Sequence, residues 1–252
     1  QNRNLGDLVF ALVSLGEALM ANGEAGVTEA LPLLAEGLAL AEGGAKKSLD
    51  DSYLLKVRFS HTAALFRSGR REDALKLGRE NGQKAMKELG PAHLRTALTF
   101  EKHARNCHEA GLLEEALSVG QQALDCYWSS VGPADSFAAV CLRFMLQCHK
   151  DQGDRERHLT LLRNASRVCD QQLGPLHATT LELVESRVAL LTSLGWHRDA
   201  GVVANEWLER VRQPDGGMPA VSEKLLRQHS IVLRGIPKLD KAEVRLRELL
   251  AL

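Results

Sequence analysis

The sequence predicts an all-α protein, an α-solenoid of five to six helical hairpins, from its composition, a repeat of fixed period and its glycine positions. The 252 residues are 44% hydrophobic and 25% charged but only 4% aromatic, which suits side chains packed between helices better than a β-sandwich. Lys and Arg number 32, as do Asp and Glu, so no net positive charge attracts nucleic acid or an anionic membrane surface. We therefore expect neither nucleic acid nor a membrane as a partner.

A 42-residue repeat runs through most of the chain. Its junction is found at residues 89–93 (LGPAH), 131–135 (VGPAD) and 173–177 (LGPLH), and Gly216 lies one period further on. Glycine readily takes the left-handed conformation that ends a helix, and proline is tolerated in the first turn of a helix. The junction therefore predicts the boundary between repeats, with the proline opening the next helix.

A second glycine recurs with the same period, halfway between the junctions. A chain that reverses direction within a few residues needs a positive φ, which glycine adopts without strain. This glycine therefore predicts the turn between helix A and helix B of each repeat. The positions are Gly69, Gly111, Gly153 and Gly195.

Apolar residues at helical spacing flank each predicted turn. In the third hairpin they predict helix A over roughly 92–109 and helix B over roughly 112–130. The first and last repeats are less regular, as expected where a terminal repeat faces water. One domain covering 1–252 is predicted, with hairpins at 5–42, 50–89, 91–131, 133–173, 175–213 and 218–252.

A small residue is expected where helices A and B of a hairpin cross. Alanine recurs there, 42 residues apart, at Ala74, Ala116, Ala200 and Ala242. His158 breaks the series, and a buried imidazole at that position needs a hydrogen-bond partner.

These junctions and turns resemble the tetratricopeptide repeat (TPR), in the 42-residue form typical of kinesin light chains. The ordinary repeat is about 34 residues long, and the additional residues correspond to about one extra turn on each helix. The resemblance implies a right-handed superhelix and a protein–protein interaction scaffold or adaptor that is not an enzyme. Residues 111–117 (GLLEEAL) also resemble the helical arrays of methyltransferases with MYND and SET domains, without their catalytic or zinc-binding portions.

The cysteines indicate a reducing compartment. They are odd in number and show no paired spacing, so a disulfide framework is not expected. Neither a run of about 18 apolar residues nor a secretory leader is found. We expect a cytoplasmic protein, with an organelle left open. The cysteines are Cys107, Cys126, Cys141, Cys148 and Cys169.

One group of residues has the side chains of a metal site: His103, Cys107, His108, Cys148 and His149. His103 and Cys107 share a helix face, but zinc needs three or four converging ligands and the spacing does not show convergence. Cys107 and Cys148 lie on or beside apolar stripes. We expect core cysteines, mostly solvent-facing histidines, and no metal or cofactor.

No sequence motif predicts catalysis. Residues 43–48 (GGAKKS) have the composition of a phosphate loop, but a Walker A loop needs Gly directly before Lys, a first Gly five positions earlier and a preceding strand. A polar linker is expected instead, and no catalytic residue is assigned.

The TPR resemblance implies that partner-binding residues lie on the A helices, at polar positions turned away from helix B. Basic residues in the middle repeats predict that Arg105 and Arg143 pair with acidic side chains of a bound peptide. The full set of groove candidates is Lys56, Arg67, Glu101, Arg105, His108, Arg143, Gln147, Lys150, Glu185 and Ser193.

Three alternatives remain open. The chain could be a structural subunit of a large assembly that docks through its convex face and its ends. It could be an RNA-binding helical array, which the neutral charge disfavours, or the helical appendage of an enzyme whose catalytic domain lies outside this chain. The apolar end residues are Leu246, Leu249, Leu250 and Leu252.

Overall fold

The structure, a computed structural model, describes residues 2–44 and 49–212 together with the separate residues 223, 224, 227, 231 and 232. These residues form ten helices and no strand, so the all-α fold of successive helical hairpins is confirmed. The predicted sixth hairpin, 218–252, lies outside the described residues except at the five separate positions, as do Gly216, Ala242 and the C-terminal leucines. The helices are α1 (Asn2–Met20), α2 (Glu24–Glu42), α3 (Asp51–Arg67), α4 (Arg71–Glu88), α5 (Leu94–Glu109), α6 (Leu113–Ser130), α7 (Ser136–Gln152), α8 (Arg155–Leu173), α9 (Ala178–Ser193) and α10 (His197–Val211).

Helices α1, α3, α5, α7 and α9 are the A helices, and each is followed by its B helix. The turn glycines have φ between +74° and +90° at all seven predicted positions in the described part of the chain. At Gly111 the amide donates to the His108 carbonyl at 2.9 Å and the Leu112 amide donates to the Cys107 carbonyl at 2.8 Å. These two bonds form a Schellman motif, which ends α5 and turns the chain into α6.

The junction differs from the prediction in one respect, because the proline does not open the next helix. Helix α5 begins at Leu94, and Pro91 lies in the preceding turn. The N-cap is His93, whose Nδ1 accepts a hydrogen bond from the Arg95 amide at 3.1 Å. The imidazole thus satisfies an amide that the first turn leaves unpaired. His177 caps α9 in the same way.

The described residues divide into two compact units, and helix α7 contributes to both. The first unit comprises the described residues up to Gly132 together with Phe137–Cys148. The second comprises Pro133–Ser136 and the described residues from His149 onward. Whether the whole chain acts as one domain stays a prediction.

The small residues at the helix crossings are buried as the repeat predicts. Ala74, Ala116 and Ala200 are fully inaccessible to solvent. His158 is half-buried, and its ring lies 6.4 Å from the ring of His149 in a stacked arrangement. Burial, and then the charge of Lys150, lowers the pKa of His158, so the neutral form is favoured.

None of the helices in the described stretches has the length and apolar content that a bilayer crossing requires. All five cysteines are described, and each is a buried free thiol.

His158→Ala places the repeat's usual alanine at the crossing and tests the histidine's electrostatic effect. Because the folded pKa is lowered, the unfolded chain binds more protons below the ordinary histidine pKa, and stability falls as pH decreases through about 6.5. The free energy of unfolding, measured by urea denaturation, should fall less between about pH 7 and about pH 5.5 for His158→Ala than for the parent protein. An equal loss in both proteins would show that His158 contributes nothing to the pH dependence.

Candidate functional site

The predicted groove residues differ in their accessibility. Those at exposed positions are Arg67, Arg143, Gln147, Lys150 and Ser193, those at partly buried positions are Lys56, Arg105 and His108, and those at buried positions are Glu101 and Glu185. The two glutamates therefore depart from the expected surface positions.

Glu101 is directed toward its own B helix rather than away from it. The residue is 7% exposed, and its Oε2 accepts a hydrogen bond from the hydroxyl of Tyr127 in α6 at 2.5 Å. Burial, together with this hydrogen bond, raises the pKa of Tyr127. A buried carboxylate requires such partners because losing water without them is costly. Glu101 is thus an internal link between α5 and α6.

Arg105 completes the environment of Glu101. Its Nη2 and Nε donate to Glu101 Oε1 at 2.6 Å and 2.9 Å, and the guanidinium lies 4.6 Å from the ring centroid of Phe144 in α7. The ring of His108 meets the same phenylalanine edge-on at 5.7 Å. The positive charge of Arg105 is therefore already balanced within the protein, although its side chain remains 40% exposed.

Other groove candidates also have internal partners. Lys56 forms an ion pair with Glu17 at 3.1 Å. In the second unit, the buried Glu185 pairs with Lys224 at 2.6 Å, and the Ser193 hydroxyl donates to the Leu190 carbonyl at 2.8 Å. Glu185, like Glu101, is buried and forms an ion pair with a basic side chain.

A cavity of about 180 Å³ opens in the first unit among α3, α4 and α5. Lys102, absent from the predicted set, lies on its rim with its ammonium 5.9 Å from the ring centroid of Phe59. No carboxylate of a described residue forms an ion pair with Lys102. The other polar lining residues include Thr62, Asn81, Thr99, Arg105, Asn106 and Glu109.

Asn81 lies in the wall of this cavity and is only 1% exposed. Its Nδ2 donates to the Thr62 hydroxyl at 3.1 Å. Its Oδ1 has no hydrogen-bond partner among the described residues. A buried acceptor without a partner is costly, but this atom is shielded from solvent, so the group that the cavity offers a ligand is the Lys102 ammonium.

The sequence contains a signal for this site that the choice of residues missed. Positions 102, 105, 106 and 109 are spaced three and four apart and carry polar side chains, as one face of a helix requires. The predicted set contained Arg105 from this face, but its other α5 residues were Glu101 and His108, which lie on neighbouring faces.

One cluster of potential metal ligands lies close to this cavity. The ligand atoms of His103, Cys107 and Glu115 lie within 4.8 Å of one another. The histidines of the group predicted from the sequence were expected to be mostly solvent-facing, which is wrong, because His103 is 3% exposed and His149 is 7% exposed. The ring of His103 occupies space beside Gly78, where a Cβ would lie 2.4 Å from Nδ1. Of the five residues grouped from the sequence, only His103 and Cys107 belong to this cluster.

The cluster is a hydrogen-bonded chain of side chains in this structure. Arg79 donates to both oxygens of Glu115 at 2.6 Å and 2.7 Å, which holds the pKa of that carboxyl below its ordinary value. Burial raises the pKa of the Cys107 thiol to about 12, so the thiol is protonated near neutral pH. A metal ion bound here would need the thiolate and would share Glu115 with Arg79.

Comparison with known proteins supports the fold. No family model matches the sequence, and no curated protein matches it. A solved structure of a kinesin-light-chain-like protein of Podosopora anserina, with nearly identical TPR-like repeats, aligns with a TM-score of 0.55 at 16% identity, covering 79% of this chain and 92% of that one. A single-substitution variant of that protein aligns with a TM-score of 0.54 at 18% identity, covering 87% and 96%. At such identities the similarity establishes the fold alone, and that fold is the TPR-like repeat.

Tyr127→Phe should destabilise the protein because it removes a hydroxyl that donates to the buried Glu101 carboxylate. Hydrogen bonds to charged groups contribute about 1.5–3 kcal/mol, and a loss of that size in the free energy of unfolding is expected from urea denaturation. Tyr53→Phe is the matched control, since the Tyr53 hydroxyl has no hydrogen-bond partner among the described residues. Equal losses in the two variants would contradict the role assigned to the Tyr127–Glu101 bond.

Proposed function

We propose that this chain is a TPR-like interaction scaffold that binds an acidic peptide segment of a partner protein on the A helices of its first unit. The observation that carries the proposal is the cavity among α3, α4 and α5. There the exposed Lys102 pairs with no described carboxylate. An unpaired cation at a cavity suits a ligand that carries a carboxylate.

An extended peptide with an acidic side chain supplies this group. A carboxylate of the peptide pairs with the Lys102 ammonium. Phe59, which lines the same cavity, provides an apolar surface for the stem of the acidic side chain. The interaction is non-covalent, and an affinity on the order of micromolar is expected for a short motif that becomes ordered on binding.

Other cations lie on the A helices of the first unit. Arg67 in α3 and Arg143 in α7 are exposed, and neither forms an ion pair with a described residue. Arg105, whose charge is balanced by Glu101, offers its remaining exposed surface and the adjoining Phe144 ring. The peptide is thus expected to gain its charge complementarity from Lys102, Arg67 and Arg143.

The groove candidates divide accordingly. Lys56, His108 and Gln147 stay proposed contacts of the peptide in the first unit. Lys150 and Ser193 lie in the second unit and stay separate predictions. Glu101 and Glu185 are proposed to act through the side chains that they position. The five free thiols are consistent with a reducing compartment such as the cytoplasm, and membership of a larger complex through the bound partner follows from the scaffold role.

Lys102→Glu should weaken the capture of acidic peptides while the helical content is unchanged, because it reverses the cation at the cavity. A displayed library of random 12-residue peptides, selected on the parent protein, should yield sequences enriched in Asp and Glu. Their affinity for Lys102→Glu should fall at least about tenfold, which corresponds to about 1.4 kcal/mol.

Lys76→Glu is the matched control, since Lys76 is an exposed lysine of the B helix α4 outside the cavity lining. It should bind the selected peptides as the parent protein does. Selected peptides without acidic enrichment, or equal binding to parent and Lys102→Glu, would refute the proposal.

A further inference from the structure

A larger cavity lies in the second unit and has no part in the proposed peptide site. It is open to solvent, has a volume of about 410 Å³ and is lined by residues of α8, α9 and α10 and by Trp196 at the start of α10. This volume lies in the range of about 300–1,000 Å³ that is usual for pockets that bind small molecules. Arg187 of α9 and Arg163 of α8 both line it.

The arginine from α9 has no described counterion. Arg187 is partly buried and forms no hydrogen bond or ion pair with any described residue. Burial and then the positive charge of Arg163 lower the pKa of Arg187, while Glu206 acts in the opposite direction. Because the pKa of Arg187 is lowered overall, the carboxylate of Glu206 does not offset the cost of removing the guanidinium from water.

The other acidic residues in the lining, Glu156 and Asp199, lie in the first turns of their helices. Glu156 is in the first turn of α8, seven residues before Arg163, which corresponds to about 10 Å along a helix axis. Asp199 is in the first turn of α10. Glu206 is the acidic lining residue whose charge acts on Arg187, and no ion pair joins the two side chains.

Apolar side chains form much of the remaining wall. Leu191 and Val203 are buried, and both line the cavity. Trp196 and Val202 line it with 49% and 54% of their surface exposed. Large apolar residues exposed beside an unpaired arginine indicate a surface that fits a ligand with both an apolar part and a charge.

We infer that this cavity binds a carboxylate carried on a short apolar stem, with the anion held by Arg187 and Arg163 and the stem packed against Leu191, Val203 and Trp196. A guanidinium suits this ligand because its planar N–H groups match the geometry of a carboxylate. The carboxylate could belong to a free organic acid or to an acidic residue that follows an apolar one in a peptide. Both present the same chemistry to the cavity.

The test compares 4-phenylbutyrate with its neutral isostere 4-phenylbutanamide, using calorimetry and tryptophan fluorescence on the full chain. We expect 4-phenylbutyrate to bind at least about tenfold more tightly than the amide and to change the emission of the parent protein. Trp196→Phe should remove most of that emission change, since Trp196 lines the cavity.

Arg187→Gln should weaken 4-phenylbutyrate binding at least about tenfold and leave the weak amide binding unchanged. Arg167→Gln is the matched control, because Arg167 is an exposed arginine of α8 that does not line the cavity. If Arg187→Gln does not fold, Arg163→Gln and the acid–amide pair still decide the question. Lys102→Glu should leave this binding unaffected, which separates the result from the peptide site of the first unit.

A parallel titration with acetyl-Phe-Glu-amide distinguishes the two sources of the carboxylate. Tighter binding of the dipeptide with dependence on Arg187 supports a peptide segment, and tighter binding of 4-phenylbutyrate supports a free acid. The inference is overturned if acid and amide bind equally, if Arg187→Gln binds the acid as the parent does, or if neither probe binds at about 10 mM.

Discussion

The left-handed turn glycine is the constraint on which the rest of this structure depends. A residue with a side chain is strained at φ near +80°. Seven glycines in two series meet that requirement, one series at the junctions between repeats and the other at the turn within each repeat. Because each turn falls at a fixed place in the 42-residue period, equivalent residues of successive hairpins occupy equivalent helix positions. The crossing alanines Ala74, Ala116 and Ala200 are all fully buried for this reason.

A repeat of fixed period predicts the positions of helices well, and the sequence was sufficient to predict the fold. Helix α5 was expected over roughly 92–109 and is found over Leu94–Glu109. What the period did not predict was the capping of the helix start, because the role of His93 depends on a side-chain bond to the Arg95 amide. Local pattern fixes where a turn occurs, whereas the atoms that satisfy its amides depend on which side chains are within reach.

The candidate site was less predictable because its chemistry depends on contacts between residues far apart in the sequence. Glu101 is buried because Tyr127, 26 residues later, supplies a donor. His103 is buried because Gly78, 25 residues earlier, leaves room for its ring. Adjacent helical positions differ by about 100°, so a polar residue at the edge of the buried face turns inward or outward according to a distant partner. The period alone contains no information about that partner.

The same reasoning explains why a count of basic residues is a poor guide to binding. Arg105 is one of the basic residues that the sequence singles out, yet its guanidinium already pairs with Glu101 and packs against the ring of Phe144. Lys102 and Arg187 were not among the predicted groove residues, but neither forms an ion pair with a described residue. Binding an anion at a paired arginine must first disrupt an internal ion pair, whereas an uncompensated cation in a cavity gains stabilisation from the anion directly. Local charge balance, rather than charge itself, therefore distinguishes a structural cation from one that is available to a partner.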